Sequence, residues 1–255
     1  MGCSDIPSRA RDLVVPSSNP SGGSNSIYEF LDIFELFIIG MKTVDVFTVS
    51  RALDQAHVWH KIHNDFICTK KTRVKIPKIG NKVAYLAGVV TGDGNLYRCK
   101  RKNGGYRYRV SIVGRRKFSE QVSDLIKDIF HYTPGIYKDK RKNNCYFVNI
   151  NCAAVYFFFI ELEFQSGKKV NLSVPSLITN DAFLFKHYMQ GLIDTDGFKE
   201  RKIVQLKQRD EDFLKELVRL LKKHFDIFSR PPKVNYTKGK PYYYIRFPIN
   251  RLTTA

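Results

Sequence analysis

The chain has 255 residues, 43% of them hydrophobic, enough for one large or two small domains with real cores. Its formal net charge of +19 points to a polyanionic partner. Five cysteines, an odd number without Cys-x-x-Cys spacing, exclude a disulfide framework and a zinc site and fit a reducing compartment.

Residues 1–26 are rich in Ser, Pro and Gly and read as a disordered tail without the apolar core of a secretory signal. Gly2 lacks the Ser or Thr at position six that myristoylation needs. Ile27, Leu31, Phe34 and Ile38 recur at helical spacing, with Glu29, Asp32 and Glu35 between them ruling out a membrane span. They open a helical extension over 27–75. Within it, residues 43–66 predict two short helices, built on Val49, Ala52 and Leu53 and on Val58, Trp59 and Ile62. Two readings stay open: a degenerate helix-turn-helix presenting Gln55, His57, His60 and Lys61 to DNA, or a plain helical adornment. His57, His60 and His63 lack a partner acid or cysteine at ligand spacing and read as surface or recognition side chains. Lys70 to Lys82 reads as a basic linker.

Residues 84–255 carry 32 Lys+Arg against 16 Asp+Glu, whereas residues 1–83 carry 11 against 8. The basic surface therefore travels with the second part of the chain. There a helix from Asn81, taken as its cap, leads into Leu86-Ala87-Gly88-Val89-Val90-Thr91-Gly92-Asp93-Gly94. A hairpin follows, with its turn at Asn103-Gly104-Gly105. Alternation places Arg107, Arg109 and Ser111 on one face of the second strand, while Arg98, Lys100 and Lys102 share a face of the first. Such a basic ribbon suits the major groove, where Arg reads guanine edges and Lys meets phosphates. Arg115 precedes an amphipathic helix over 115–131. Lys138 and Lys140 sit in a second hairpin, and residues 153–162 form a strongly apolar helix.

The order then repeats. A helix capped by Asp181 leads into Met189-Gln190-Gly191-Leu192-Ile193-Asp194-Thr195-Asp196-Gly197. Strands carrying Arg201, Lys202, Gln205 and Lys207 follow, then a helix over 210–224. A last hairpin brings Lys233, Lys238, Lys240 and Arg246. The chain ends at Ala255, which leaves the second lobe without room for a full closing helix.

The two nine-residue segments match in small residue, aliphatic pair and terminal Asp-Gly. Gly88 and Gly92 lie one turn apart, as do Gly191 and Thr195, and small residues four apart let two helix backbones approach closely. Gly94 and Gly197 suit left-handed helix stops. Asp93 and Asp196 stand at the negative end of their helices, disfavoured by roughly 0.3–1 kcal/mol. Doing this twice asks for a compensating cation, and paired carboxylates suit a hard divalent metal.

Both segments closely resemble the LAGLIDADG motif of homing endonucleases, of the monomeric two-motif type. Ile76-Pro77 and Val174-Pro175 match the family's lead-ins. The resemblance implies an α+β fold of two pseudo-symmetric αββαββα lobes with saddle-shaped antiparallel sheets, over 76–170 and 171–255, after the small N-terminal extension. It implies site-specific double-strand cleavage of DNA at a long target, with Mg²⁺ or Mn²⁺. Asp93, Asp196 and Lys199 would be catalytic, and Gly92 and Thr195 would join the two acids at the metal. Gly88, Gly92, Gly191 and Thr195 would form the helix interface. A non-cleaving DNA- or RNA-binding protein on the same fold, an intron maturase or transcription regulator, is the alternative. Retention of both motif acids favours the nuclease. The expected compartment is the cytoplasm or another reducing, DNA-containing space.

Overall fold

The structure, a computed structural model, describes residues 43–102, 104–237, 239–249 and Leu252. The tail over 1–26, the helix over 27–39 and Lys238 lie outside the described residues. Helix α1 (Val46–Gln55) starts on a reciprocal cap between Asp45 and Thr48, whose side chains bond each other's backbone amides. It stops where His57 turns left-handed (φ 53°) and Val58 N donates back to Leu53 O.

That stop overturns the second short helix expected within 43–66, and with it the helix-turn-helix. The chain instead forms a three-stranded antiparallel sheet: β1 (His60–His63), β2 (Phe66–Thr69) and β3 (Arg73–Lys75). Asn64, at φ 52°, makes a two-residue hairpin turn with Asp65, between the paired residues His63 and Phe66. The turn residue Asn at that spacing was the overlooked signal, and β3 also replaces part of the expected linker. Ile67 and Val74 are fully buried, so this module shares the core of the lobe behind it.

The first lobe runs α2 (Asn81–Asp93), β4 (Gly94–Lys100), β5 (Tyr106–Gly114), α3 (Arg116–Phe130), β6 (Gly135–Lys138), β7 (Tyr146–Ile150) and α4 (Ala153–Glu161), an αββαββα order. After a short α5 (Ser176–Thr179), the second lobe runs α6 (Ala182–Asp196), β8 (Gly197–Glu200), β9 (Ile203–Gln208), α7 (Glu211–Phe225), β10 (Lys233–Thr237) and β11 (Lys240–Pro248). The sheets repeat one topology, β4-β5-β7-β6 and β8-β9-β11-β10, all antiparallel. The stretch after β11, where a closing helix would stand in the second lobe, lies outside the described residues except for Ile249 and Leu252.

Each helix type follows from its sequence. Helices α3 and α7 are amphipathic and cover the sheets with one apolar face, such as Val122, Ile126 and Ile129, or Phe213, Leu217 and Leu220. Helix α2 is apolar nearly all round, from Val83 to Thr91, because it is surrounded by both lobes. Its partner α6 buries Phe185, Tyr188, Met189, Gly191, Leu192 and Ile193. One continuous hydrophobic core joins both lobes and the N-terminal module. Among the described residues no helix is long and apolar enough to cross a membrane.

Two local expectations are corrected. Gly80, not Asn81, occupies the cap of α2, without a side-chain bond; Asn81 Oδ1 instead accepts from Lys82 N at 2.8 Å. Asp181 does cap α6, accepting from Leu184 N at 3.0 Å. Gly94 and Gly197 are extended (φ −85° and −90°), not left-handed, because each helix passes directly into a strand. Glycine is needed there because a Cβ would meet the backbone of Val90 or Ile193 in the preceding turn.

Candidate nuclease site

The site begins with the packing of α2 against α6. A Cβ on Gly88 would collide with the Tyr188 carbonyl oxygen, and one on Gly191 with that of Tyr85. The backbones therefore touch directly, and the contact is reciprocal. A Cβ on Gly92 would collide with the Thr195 hydroxyl and stand 3.0 Å from Asp196 Oδ2. All four expected interface residues thus lie in the seam. Tyr188, fully buried, crosses it and donates its hydroxyl to Thr91 Oγ1 at 2.9 Å.

Because the helices meet so closely, the carboxylates that end them share one field. Burial pushes the Asp196 carboxyl up to about 6, helped by the nearby charge of Asp93 and opposed by Lys169 and a hydrogen bond from Gln208. Burial likewise raises Asp93, against the pull of Lys169. Two half-buried acids resisting ionisation are what a site awaiting positive charge should show.

Lys169 stands in the join between α4 and α5, where the sequence offers no motif or periodicity to single it out. Its ammonium donates to the carbonyls of Val90 (3.0 Å), Thr91 (2.6 Å) and Gly92 (2.6 Å), the last turn of α2. A cation at a helix C-terminus satisfies orphan carbonyls and complements the helix dipole. Burial lowers Lys169 to about 8 although Asp196 and Asp93 both favour its charge. The join is pinned at both ends: Gly167 N donates to Leu96 O at 2.6 Å, and Leu172 N to Asp210 Oδ2 at 2.7 Å.

Lys199 was expected beside the carboxylates. Its ammonium instead bonds Asp194 Oδ1 at 2.9 Å, and Tyr85 donates to the other oxygen of Asp194 at 3.1 Å. Pairing of Lys199 with the buried Val204 turns it to the helix side of its sheet. The Thr195 hydroxyl donates to the helix carbonyls of Gly191 and Leu192. Among the described residues no group of three or more His, Cys, Asp and Glu is placed to hold a metal. The oxygen atoms that could hold a metal are the two acids, the Gln208 amide and helix-end carbonyls, of which those of Val90, Thr91 and Gly92 already accept from Lys169.

Register sorts the basic residues between sheet faces. In the first sheet Tyr108, Val110, Ile112, Val148 and Ile150 line the helix side. Arg107, Arg109 and Ser111 alternate with them and lie on the open face, with Arg109 bonded to Asn151 and to Tyr97, and Ser111 to Asn149. Arg98 and Lys100 pair with Tyr108 and Tyr106, and Lys138 with Tyr146, so all three belong to the opposite face. Their assignment to the same DNA-reading surface as Arg107 is corrected: spacing within one strand fixes which residues share a face, but only the cross-strand register fixes which face. Lys102, Arg115 and Lys140 are exposed outside the strands.

In the second sheet Gln205, Lys207, Lys233, Lys240 and Arg246 share the open face, opposite buried Val204, Leu206, Ile245 and Phe247. Arg246 bonds Gln205 at 2.7 Å, and Arg246 and Lys207 lie over Tyr244 and Tyr242. Arg201 and Lys202 sit at the β8–β9 turn. An open groove of about 1200 Å³ runs from Gly92 and Asp196 past Lys169 and Gln208 to Lys207, Lys240 and Tyr242.

Two lobes of one topology, joined by paired motif helices that end in acids, define a protein of the LAGLIDADG homing endonuclease fold. Residues 186–252, which contain the second of the two motifs, match the family model of a LAGLIDADG-like domain. The chain is similar to I-DmoI in complex with DNA and Ca, with a TM-score of 0.52 and 17% identity over 68% of this chain and 86% of that one. A variant of I-DmoI, with its target DNA nicked in the coding strand and Mn present, gives 0.51 and 18%, over 68% and 91%. Mesophilic variants of I-DmoI give 0.50 and 18%, over 68% and 85%. No curated protein sequence matches the chain.

Proposed function

We propose that this chain is a divalent-metal-dependent DNA endonuclease that acts as a monomer and cuts both strands at one long, specific site. The observation that carries the proposal is the meeting of Asp93 and Asp196, each raised by burial, at the end of a glycine-packed helix pair and beside a basic groove. I-DmoI, whose fold the chain shares, has been captured with DNA and with Ca or Mn, which supports the reading.

The donors fit a hard cation: two carboxylates and an amide, with remaining positions for water and phosphate oxygens. Asp93 and Asp196 would hold Mg²⁺ or Mn²⁺. Gly92 would contribute its carbonyl only by exchanging Lys169, and Thr195 its backbone oxygen. When bound, the metal supplies Lewis acidity at the scissile phosphate and makes hydroxide available near neutral pH. The chain's own groups do the rest. Lys169 balances the carboxylates and holds the last turn of α2, Gln208 orients Asp196, and Lys199 with Asp194 and Tyr85 braces the end of α6. Arg107, Arg109, Ser111, Gln205, Lys207, Lys233, Lys240 and Arg246 on the open faces would carry the duplex. Lys102, Lys140, Arg201 and Lys202 at turns, and Arg115 at the start of α3, would reach phosphates.

The test is incubation with a randomised duplex library in Mg²⁺ or Mn²⁺. Recovery of one cut sequence, lost in Asp93→Asn with binding retained, supports the proposal. Selective binding without a cut product in either metal would leave the non-cleaving regulator or maturase instead.

A further inference from the structure

The N-terminal module leaves a second basic surface that the two-lobe reading does not use. An open groove of about 1000 Å³ lies between the α1–β1 loop and the β2–β3 turn on one side and the end of the first sheet on the other, where β5 lends residues of both its faces, Tyr106 and Tyr108 as well as Arg107 and Arg109. Lys70, Lys71, Arg101, Arg107 and Arg109 line it, and no Asp or Glu does. Three large rings also line it and stay unusually exposed: Trp59 at 52%, Tyr106 at 44% and Tyr137 at 55%. The walls are firm. His60 is held between Ser50 Oγ at 2.6 Å and Val58 O at 2.9 Å, and Thr72 reaches Cys152 Sγ at 3.6 Å across the junction.

From this we infer that the module is a clamp for the sugar–phosphate backbone of duplex DNA flanking the target on the first-lobe side. The inference rests on the proposed DNA-binding reading and extends it. Unopposed cations meet phosphates, exposed rings pack against sugars, and Arg107 and Arg109 make the groove continuous with the surface proposed to carry the target. Such contacts position a protein on DNA without reading bases. A duplex running over the first sheet would therefore meet Lys70 and Lys71 beyond the lobe's own footprint.

The test uses the full chain and a duplex selected by binding in Ca²⁺, which needs no cleavage. Duplexes with short flanks are compared with ones extended on either side, in wild type, Lys70→Ala/Lys71→Ala and, on the second sheet, Lys207→Ala/Lys240→Ala. Extension on one side alone should tighten wild-type binding. The Lys70/Lys71 variant should lose that gain, and its log–log salt slope should fall by about 1.8, the release expected for two phosphates. Tightening on neither side, or a gain that the Lys70/Lys71 variant keeps, overturns the inference while an effect of Lys207/Lys240 leaves the lobe reading standing. No effect of either pair overturns both. Loss of binding to an RNA hairpin, with duplex binding unchanged, overturns the clamp in favour of an RNA surface.

Discussion

The Lys169 ammonium donates to the Gly92 carbonyl at 2.6 Å, so a residue from the join between the lobes closes the helix that carries Asp93. The cation demanded by two acids at two helix ends is thus partly built into the chain. A bound metal would work beside this lysine or against it.

Replacing Lys169 separates these cases. Lys169→Met removes a donor from three carbonyls of α2, of which that of Val90 still accepts from Gly94 N, and leaves two carboxylates without their cation. Leaving polar groups unpaired costs about 1–3 kcal/mol. The variant should melt several degrees lower in EDTA, and Ca²⁺ should restore more of its Tm than it adds to wild type. A Tm in EDTA equal to wild type would show that the lysine contributes nothing to the seam.

Stability should follow pH through the same groups. The Asp196 carboxyl is raised from 3.8 to about 6 in the fold. Between those values the folded chain holds a proton that the unfolded chain has released. Stability from this residue therefore falls as pH rises from about 4 to 6. Lys169, lowered from 10.5 to about 8, acts in the other direction: the unfolded chain holds the extra proton, so stability rises with pH across that window. Denaturant titrations in EDTA should show the acid-side dependence shrink in Asp196→Asn and the alkaline one in Lys169→Met. Metal-dependent cleavage should fail on the acid side, where the carboxyl must lose its proton to bind metal.

The helix seam should tolerate no added carbon. Gly88→Ala and Gly191→Ala each drive a methyl into a carbonyl oxygen of the facing helix. Overpacking of this kind costs typically about 1–3 kcal/mol, and backbone cannot swing aside as a side chain can. Gly80→Ala meets nothing within 4 Å and should cost less, about 1 kcal/mol or below for a poorer helix cap. Urea midpoints at constant m-value would check all three.

Sheet face should decide which arginines matter for DNA. Arg107→Ala on the open face should lower the salt slope of duplex binding by about 0.9, one phosphate's worth. Arg98→Ala, whose guanidinium lies over Tyr106 and whose register places it with Tyr108, should leave that slope unchanged. Equal losses in both would place DNA on the wrong side of the sheet.

Much of this was legible without coordinates. The duplicated Gly-x-x-x-small segment with its terminal acid announces two helices packed face to face, because only glycine lets backbones approach so closely. Alternation in Tyr106–Val113 gives the strand, and the helix periodicity over 210–224 gives α7. Less legible was the N-terminal module: the apolar positions Val58, Trp59 and Ile62 suit either period, and the left-handed His57 decided between them.

What the sequence determined by itself was the local and the repeated: which residues share a helix face, which share a strand face, and that acids end both motif helices. Tertiary structure alone decided which sheet face is open, because cross-strand register relates residues that no spacing connects. It alone brought Lys169 to a helix 77 residues earlier in the chain, since a loop side chain carries no periodic signal and finds its partners only when the lobes close around it.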